Sequence, residues 1–303
     1  MARPAARLGA LVGGHSVGAM RLPADLDVTL SSGRRHLRRW GSPRSSPVIG
    51  VPGLTGNIEG FAFLGERLAG DDLQLVAMDL RGRGHSSTTP PGTYGWERHA
   101  RDVLDVAEAL GYDRFAMVGQ SMGASVAMKV AELDQSRLSA VVLVDVAGRV
   151  DPGVGPVIAE SLVRLGRVFE SAEEYLSEVR ASGLAEPWSE YLERVFRYEM
   201  RRVDGGVMSR TSAEAVAEDR AYTLTQDPYD RWAYLTMPTL LARATREIRP
   251  GAGYVVPVDD LDRFTQTVAY AEVIQVDANH LTINTHPSYA RAARRFLGRH
   301  LAL

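Results

Sequence analysis

The chain has 303 residues, 45% of them hydrophobic, with 35 Lys and Arg against 37 Asp and Glu, a formal net charge of −2. That length suits one large domain, or one core with a substantial insert, and the near-neutral balance offers no polybasic footprint for nucleic acid or an anionic membrane surface. The chain has no cysteine, which excludes disulfides, thiolate catalysis and Cys-ligated metal centres.

The longest apolar stretches, such as Leu75 to Met78 and Ala140 to Val144, are strand-length and far short of the roughly 20 residues a membrane span needs. Residues 1–24 read as an N-terminal extension. Its apolar patch Leu8 to Val12 follows Arg3 and Arg7 but is cut short by Gly13, Gly14 and His15, so a cytoplasmic protein without a secretory leader is expected.

From Asp25 the punctuation is regular. Leu26–Leu30 and Arg34–Trp40 predict two strands joined at Ser31-Ser32-Gly33, a hairpin signal. Pro47–Val51 predicts a short buried strand, Pro52–Gly56 a Gly-rich connection, and the spacing of Phe61, Leu64 and Leu68 a helix. Leu73–Met78 is the next buried strand. Val103, Val106 and Leu110 then mark a helix over His99–Leu110, stopped by Gly111. A strand at Phe115–Val118, a helix at Met122–Leu133 and a strand at Leu138–Val144 continue the alternation. From about Gly148 to Thr236 no buried strand stands out, only helical patterns such as Val157, Leu162, Leu165, Phe169, then Tyr175, Leu176, Val179, and Tyr191, Leu192, Val195. Strand character returns at Thr239–Ala244 and Glu272–Val276, and Tyr289–Leu301 closes the chain as a helix.

This rhythm predicts an α/β fold with a mostly parallel central sheet and flanking helices, residues 25–148 and 237–303 forming the core. Residues 149–236 read as a helical insert over the C-terminal ends of the strands, where open α/β sheets bind ligands. The insert's aromatic residues, among them Trp188, Tyr191, Phe196, Tyr198, Tyr222, Tyr229, Trp232 and Tyr234, stand at helical spacings that favour a small core of its own over a pocket wall.

The strongest chemical signal is Gly119-Gln120-Ser121-Met122-Gly123, between a predicted strand and a predicted helix. A turn that sharp strains the serine and tolerates only small residues two positions either side, lifting the hydroxyl out of the sheet edge as a nucleophile. Acyl transfer also needs two donors for the developing oxyanion, and the expected pair is the backbone N–H of Met122 and that of Leu54, in Pro52-Gly53-Leu54-Thr55-Gly56-Asn57. A serine hydroxyl further needs an imidazole to take its proton. His280, directly after the last predicted strand, is the expected base; His85, in the turn Arg81-Gly82-Arg83-Gly84-His85-Ser86, is its rival, and Asp79 and Arg81 are read as bracing that turn.

With these pieces in place the chain resembles the α/β-hydrolase fold superfamily over nearly its whole length from about Asp25. The matching parts are the elbow Gly119–Gly123, the segment Val51–Asn57, the turn Asp79–Ser86 and the late Asn279-His280. The resemblance implies a cap domain inserted after the sixth strand. Pro52 replaces the histidine that many members carry before the oxyanion glycine. Most members also carry the triad acid after the seventh strand, where this chain has Arg243-Ala244-Thr245-Arg246-Glu247 and no aspartate. Asp145, ending the sixth predicted strand, is the preferred acid, a position similar to that of the haloalkane dehalogenase and zearalenone lactonase branches. Glu247 is the alternative, with Asp259 and Asp260 behind it.

The expected activity is a cofactor-independent serine hydrolase of carboxylic esters or lactones, extending to thioesters, through a Ser121-His280-Asp145 triad and an acyl-enzyme. Serine rather than aspartate at position 121 disfavours an alkyl-enzyme route. A C–C bond hydrolase or a cofactor-free peroxidase would use the same triad, and a non-catalytic small-molecule binder is the alternative from another class. The expected partner is a small apolar ester or lactone, with neither nucleic acid nor membrane, and the sequence carries no metal-ligand cluster, phosphate loop or dinucleotide fingerprint.

Overall fold

Strands β1 (Ala24–Leu30) and β2 (Gly33–Trp40) pair antiparallel in the computed structural model, which describes residues 22–301. The N-terminal extension up to residue 21, with its Leu8–Val12 patch, lies outside the described residues. Then follow β3 (Ser46–Val51), α1 (Ala62–Leu68), β4 (Leu73–Met78), α2 (Trp96–Ala109), β5 (Phe115–Gln120), α3 (Met122–Asp134) and β6 (Leu138–Val144). Next come α4 (Val154–Ser161), α5 (Ala172–Ala181), α6 (Glu190–Glu199), the hairpin β7 (Met200–Val203) and β8 (Gly206–Ser209), and α7 (Ala213–Leu224). The chain closes with β9 (Thr239–Ala244), α8 (Val258–Thr267), β10 (Ala271–Val276) and α9 (Pro287–Leu301).

Eight strands form one sheet in the order β1-β2-β4-β3-β5-β6-β9-β10, parallel from β4 onward. Its central strands read as continuous apolar runs because both faces are covered. Residues of α2, α3 and α8 pack one face, and residues of α1 and α9 pack the other. The sixth strand therefore lies beside the elbow strand.

Between β6 and β9 the structure corrects the expectation of helices alone. The helix predicted through Phe169 ends at Ser161, and Phe169 forms a bridge to Val207 beside the β7–β8 hairpin. Four-residue strands, each with one buried residue and the rest partly or fully exposed, leave no apolar run to detect. The turn Asp204-Gly205-Gly206 was the available signal, with positive φ of 84° and 143° at its two glycines. Trp188 and Phe196 stack at 5.9 Å within a cluster that also holds Phe169, Tyr175 and Val179, the insert's own core. Tyr222, Tyr229 and Trp232 pack instead on the core of the main sheet.

Polar side chains join the insert to the sheet's carboxyl edge. Asn57 Nδ2 donates to the Val195 carbonyl (3.0 Å), Asn279 Nδ2 to that of Leu184 (2.9 Å), and the Tyr198 hydroxyl to Asp79 Oδ2 (2.6 Å). These anchors follow β10, β3 and β4, so the insert lies against the carboxyl ends of the strands. Burial pushes the Asp79 carboxyl up, while Tyr198 and the N–H groups of His85 and Ile58 oppose that by bonding the charged form. Asp79 thereby braces its turn. Arg81 holds the same turn to α2, bonding both oxygens of Asp102 at 2.8 and 2.5 Å, and Asp102 Oδ2 also takes Nε and Nη2 of the fully buried Arg35.

Asp102 thus compensates two buried guanidinium groups at once. Asp102→Asn should lower stability by about 3–5 kcal/mol, because removing one member of a buried pair strands the remaining charge. Urea unfolding measures this as a fallen midpoint at unchanged slope, and a loss below about 1 kcal/mol would contradict it.

Candidate active site

Parallel strands leave their side chains pointing into the two helical layers, so a group can reach solvent at the carboxyl edge only where the chain turns sharply. At the end of β5 it does so: Ser121 has φ 53° and ψ −122° before α3 begins at Met122. The turn closes because two glycines admit direct backbone contact. A β-carbon on Gly123 would stand 2.0 Å from the Val51 carbonyl oxygen, and one on Gly119 would stand 2.3 Å from that of Gly123. Asp145, directly after β6, has φ 52°; among the described residues these two are the only non-glycine positions with positive φ. Such strain persists only where the surroundings over-determine it. At Asp145 the backbone N–H is held by the Ala242 carbonyl and Oδ1 by the Ala244 N–H, each at 2.8 Å.

His280 joins the two. Its Nε2 lies 2.9 Å from Ser121 Oγ and its Nδ1 lies 2.9 Å from Asp145 Oδ2, the ring being 11% exposed and the carboxylate 2%. An ionised carboxylate can only accept, so Nδ1 carries the ring hydrogen and Nε2 is left to accept from the serine hydroxyl. The loop that presents His280 is organised by the buried Asn279, whose Oδ1 accepts from Leu281 N, Thr282 N and Thr282 Oγ1.

The Gly53–Leu54 segment passes over the serine. A β-carbon on Gly53 would lie 3.0 Å from Ser121 Cβ and 3.5 Å from Oγ. The Met122 N–H stands at the first position of α3, beyond any intrahelical acceptor. Val146 and Leu281, each next to one of the paired residues, pack with Val154, Val157, Leu184 and Ile248, which makes an apolar wall on that side.

The other candidates lie elsewhere. Glu247 accepts from the Gly251 N–H (2.7 Å), and it pairs with neither arginine that the sequence placed beside it: Arg246 bonds Asp277, and Arg243 bonds the Val256 carbonyl and Gln275. Those partners lie on other elements, out of sight of a local reading. Asp260 takes the Arg149 N–H and the Tyr229 hydroxyl, while Asp259 is exposed at the start of α8. The His85 ring lies against His36 and Tyr198, at 5.3 and 5.0 Å. Sequence reasoning missed Asn279 as an organiser of its loop, and it missed a buried cluster of Arg83, His99 and Asp219 beneath the Leu54 segment. Among the described residues no group of three His, Cys, Asp or Glu side chains could hold a metal ion, and no helix is long and apolar enough to cross a membrane.

Comparison with known proteins agrees with this architecture. The N-formylmaleamate deformylase of Pseudomonas putida is 37% identical over 119 residues, 39% of this chain and 44% of the relative. A putative carbamate hydrolase, RutD, of Rhizobium rhizogenes is 26% identical over 252 residues, 80% of this chain and 88% of the relative. For the first curated relatives the aligned stretch spans only 33% to 44% of their own length. Among solved structures, E-2-(acetamidomethylene)succinate hydrolase superposes with a TM-score of 0.81 at 21% identity, covering 91% of this chain and 99% of the other, a likeness of fold. The sequence profile described as alpha/beta hydrolase fold matches residues 46–247, two thirds of the chain, which therefore belongs to the α/β-hydrolase fold family.

Proposed function

We propose that the chain is a cofactor-independent serine hydrolase that cleaves carboxylic esters or lactones through an acyl-enzyme, with Ser121, His280 and Asp145 as its triad. The observation that carries this reading is the run of two 2.9 Å contacts from Asp145 Oδ2 through the imidazole to Ser121 Oγ. Ser121 Oγ attacks the acyl carbon as Nε2 takes its proton, and Asp145 stabilises the resulting imidazolium. The N–H groups of Leu54 and Met122 receive the oxyanion. The imidazolium then protonates the departing alkoxide, and His280 deprotonates the water that releases the acid and restores Ser121.

Residues 149–236 act in this reading as a cap. The apolar wall of Val146, Leu184 and Leu281 suits a largely apolar acyl group or lactone ring. The names of the relatives favour a second reading for the same groups, a C–N acyl bond: one is a deformylase and another a putative carbamate hydrolase. A panel of aryl esters, lactones, acyl thioesters, formamides and carbamates, assayed with wild type and Ser121→Ala, separates the two.

Ser121→Ala should lower turnover by roughly 10⁴-fold or more, since it removes the bond-forming atom and little volume. Circular dichroism should remain that of wild type, and turnover within tenfold of wild type would rule out the serine mechanism. A second comparison tests the acid. Asp145→Asn should cost on the order of 10⁴-fold by favouring the wrong imidazole tautomer. Glu247→Gln, changing a turn cap, should cost less than about tenfold, and the reverse ranking would reassign the acid.

A further inference from the structure

Arg83 is fully buried, and an unpaired guanidinium there would cost far more than the fold could bear. Each of its three nitrogens is engaged with a different part of the molecule. Nη1 bonds the Arg81 carbonyl (3.0 Å), Nη2 bonds Asp219 Oδ2 on α7 (2.5 Å), and Nε bonds the Leu54 carbonyl (3.0 Å). Asp219 is itself fixed by the Gly95 N–H at 2.6 Å and by His99 Nε2 at 2.9 Å. Burial pushes the Asp219 carboxyl up, but His99, Arg83 and Gly95 outweigh that and hold it down at about 2, so it is a full anion at neutral pH. A buried ion pair is weak evidence of stabilisation as such. What this one does is join an insert helix to a single carbonyl of the loop above Ser121.

That carbonyl matters because of its place in the chain. The Leu54 N–H shares a peptide plane with the Gly53 carbonyl, and the Leu54 carbonyl shares the next plane with the Thr55 N–H. The Gly53 carbonyl accepts from the Gly56 N–H at 3.1 Å. Both planes around the Leu54 α-carbon are therefore pinned, one by a local turn and the other by Arg83. Glycine before Leu54 makes the first plane easy to rotate. A flipped plane would aim the Gly53 carbonyl dipole at the developing oxyanion instead of the Leu54 N–H. Resting on the serine-hydrolase reading above, we propose that Arg83 is a positioning residue: with Asp219 it pins the Leu54–Thr55 plane, so that the neighbouring plane, held by the Gly56 N–H, keeps its Leu54 N–H in the donating orientation, and it couples both to the seating of α7.

The test uses the full chain, an aryl ester substrate, a trifluoromethyl ketone that forms a tetrahedral oxyanion on Ser121, and a fluorophosphonate probe. Arg83→Met should lower kcat by ~10²-fold, the scale of losing one oxyanion donor, and weaken the trifluoromethyl ketone by a similar factor while KM stays within roughly threefold. Arg83→Lys keeps the charge but replaces the planar fork with one compact ammonium, which cannot reproduce the separate directions in which Nε, Nη1 and Nη2 reach the Leu54 carbonyl, the Arg81 carbonyl and Asp219. It should fold as wild type does, with kcat and ketone affinity each down by about tenfold. A merely structural role would leave ketone and substrate affinity changing together. Arg83→Lys with kcat and ketone affinity within about twofold of wild type overturns the proposal, and so does a kcat loss without a matching loss of ketone affinity. A wild type that takes no fluorophosphonate at Ser121 overturns the hydrolase reading, and this proposal with it. A reactive wild type beside unchanged arginine variants overturns this proposal alone.

Discussion

The backbone of α3 touches the backbone of β3 at Gly123, where even one methyl group would meet the Val51 carbonyl oxygen at 2.0 Å. Everything at the carboxyl edge depends on that approach. It allows β5 to turn into α3 without an intervening loop, and the cost is the left-handed conformation of Ser121. The same turn leaves the Met122 N–H uncommitted and brings the Gly53–Leu54 segment over the hydroxyl. On the proposed reading, the nucleophile, one oxyanion donor and the approach of the second are consequences of one close contact.

Strand order supplies the next constraint. Because β6 lies between β5 and β9, the residue after β6 can take backbone bonds from β9 while facing the elbow. Asp145 is locked by Ala242 and Ala244, so its free oxygen has little choice of direction. His280 arrives from the far side of the sheet, after β10, on a loop folded around Asn279. Three chain segments separated by 24 and 135 residues thus meet with no flexible linker between any side chain and the sheet.

The insert is attached differently. Its own core is aromatic and apolar, but its seams with the sheet include single polar side chains: Asn57, Asp79, Arg83 and Asn279, each bonded to an insert residue. Apolar packing tolerates sliding, whereas a buried hydrogen bond or charge pair has one satisfied geometry and a steep penalty elsewhere. The seams therefore define the register of the insert over the loops that flank Ser121.

Local chemistry was enough to reveal the elbow, the order of strands and helices, and the candidacy of Ser121 and His280, because each depends on neighbours within a few residues: glycines two positions either side of a serine, apolar runs of strand length, a histidine just past a strand; Asp145 entered as a candidate through the resemblance to the α/β-hydrolase fold superfamily. The β7–β8 hairpin escaped because its strands are too short and too exposed to carry an apolar pattern. Choosing between Asp145 and Glu247 required knowing which strand neighbours which, since the two lie at the ends of adjacent strands and differ in what fills their hydrogen bonds. Tertiary structure alone decided that Asp145 stands 2.9 Å from His280 and that Glu247 caps a turn. It alone also brought Arg83 to Leu54 and to Asp219, contacts spanning 29 and 136 residues that no periodicity encodes. Such long-range pairs are selected by the packing of the whole chain, where a buried charge must find its partner wherever the fold has carried it.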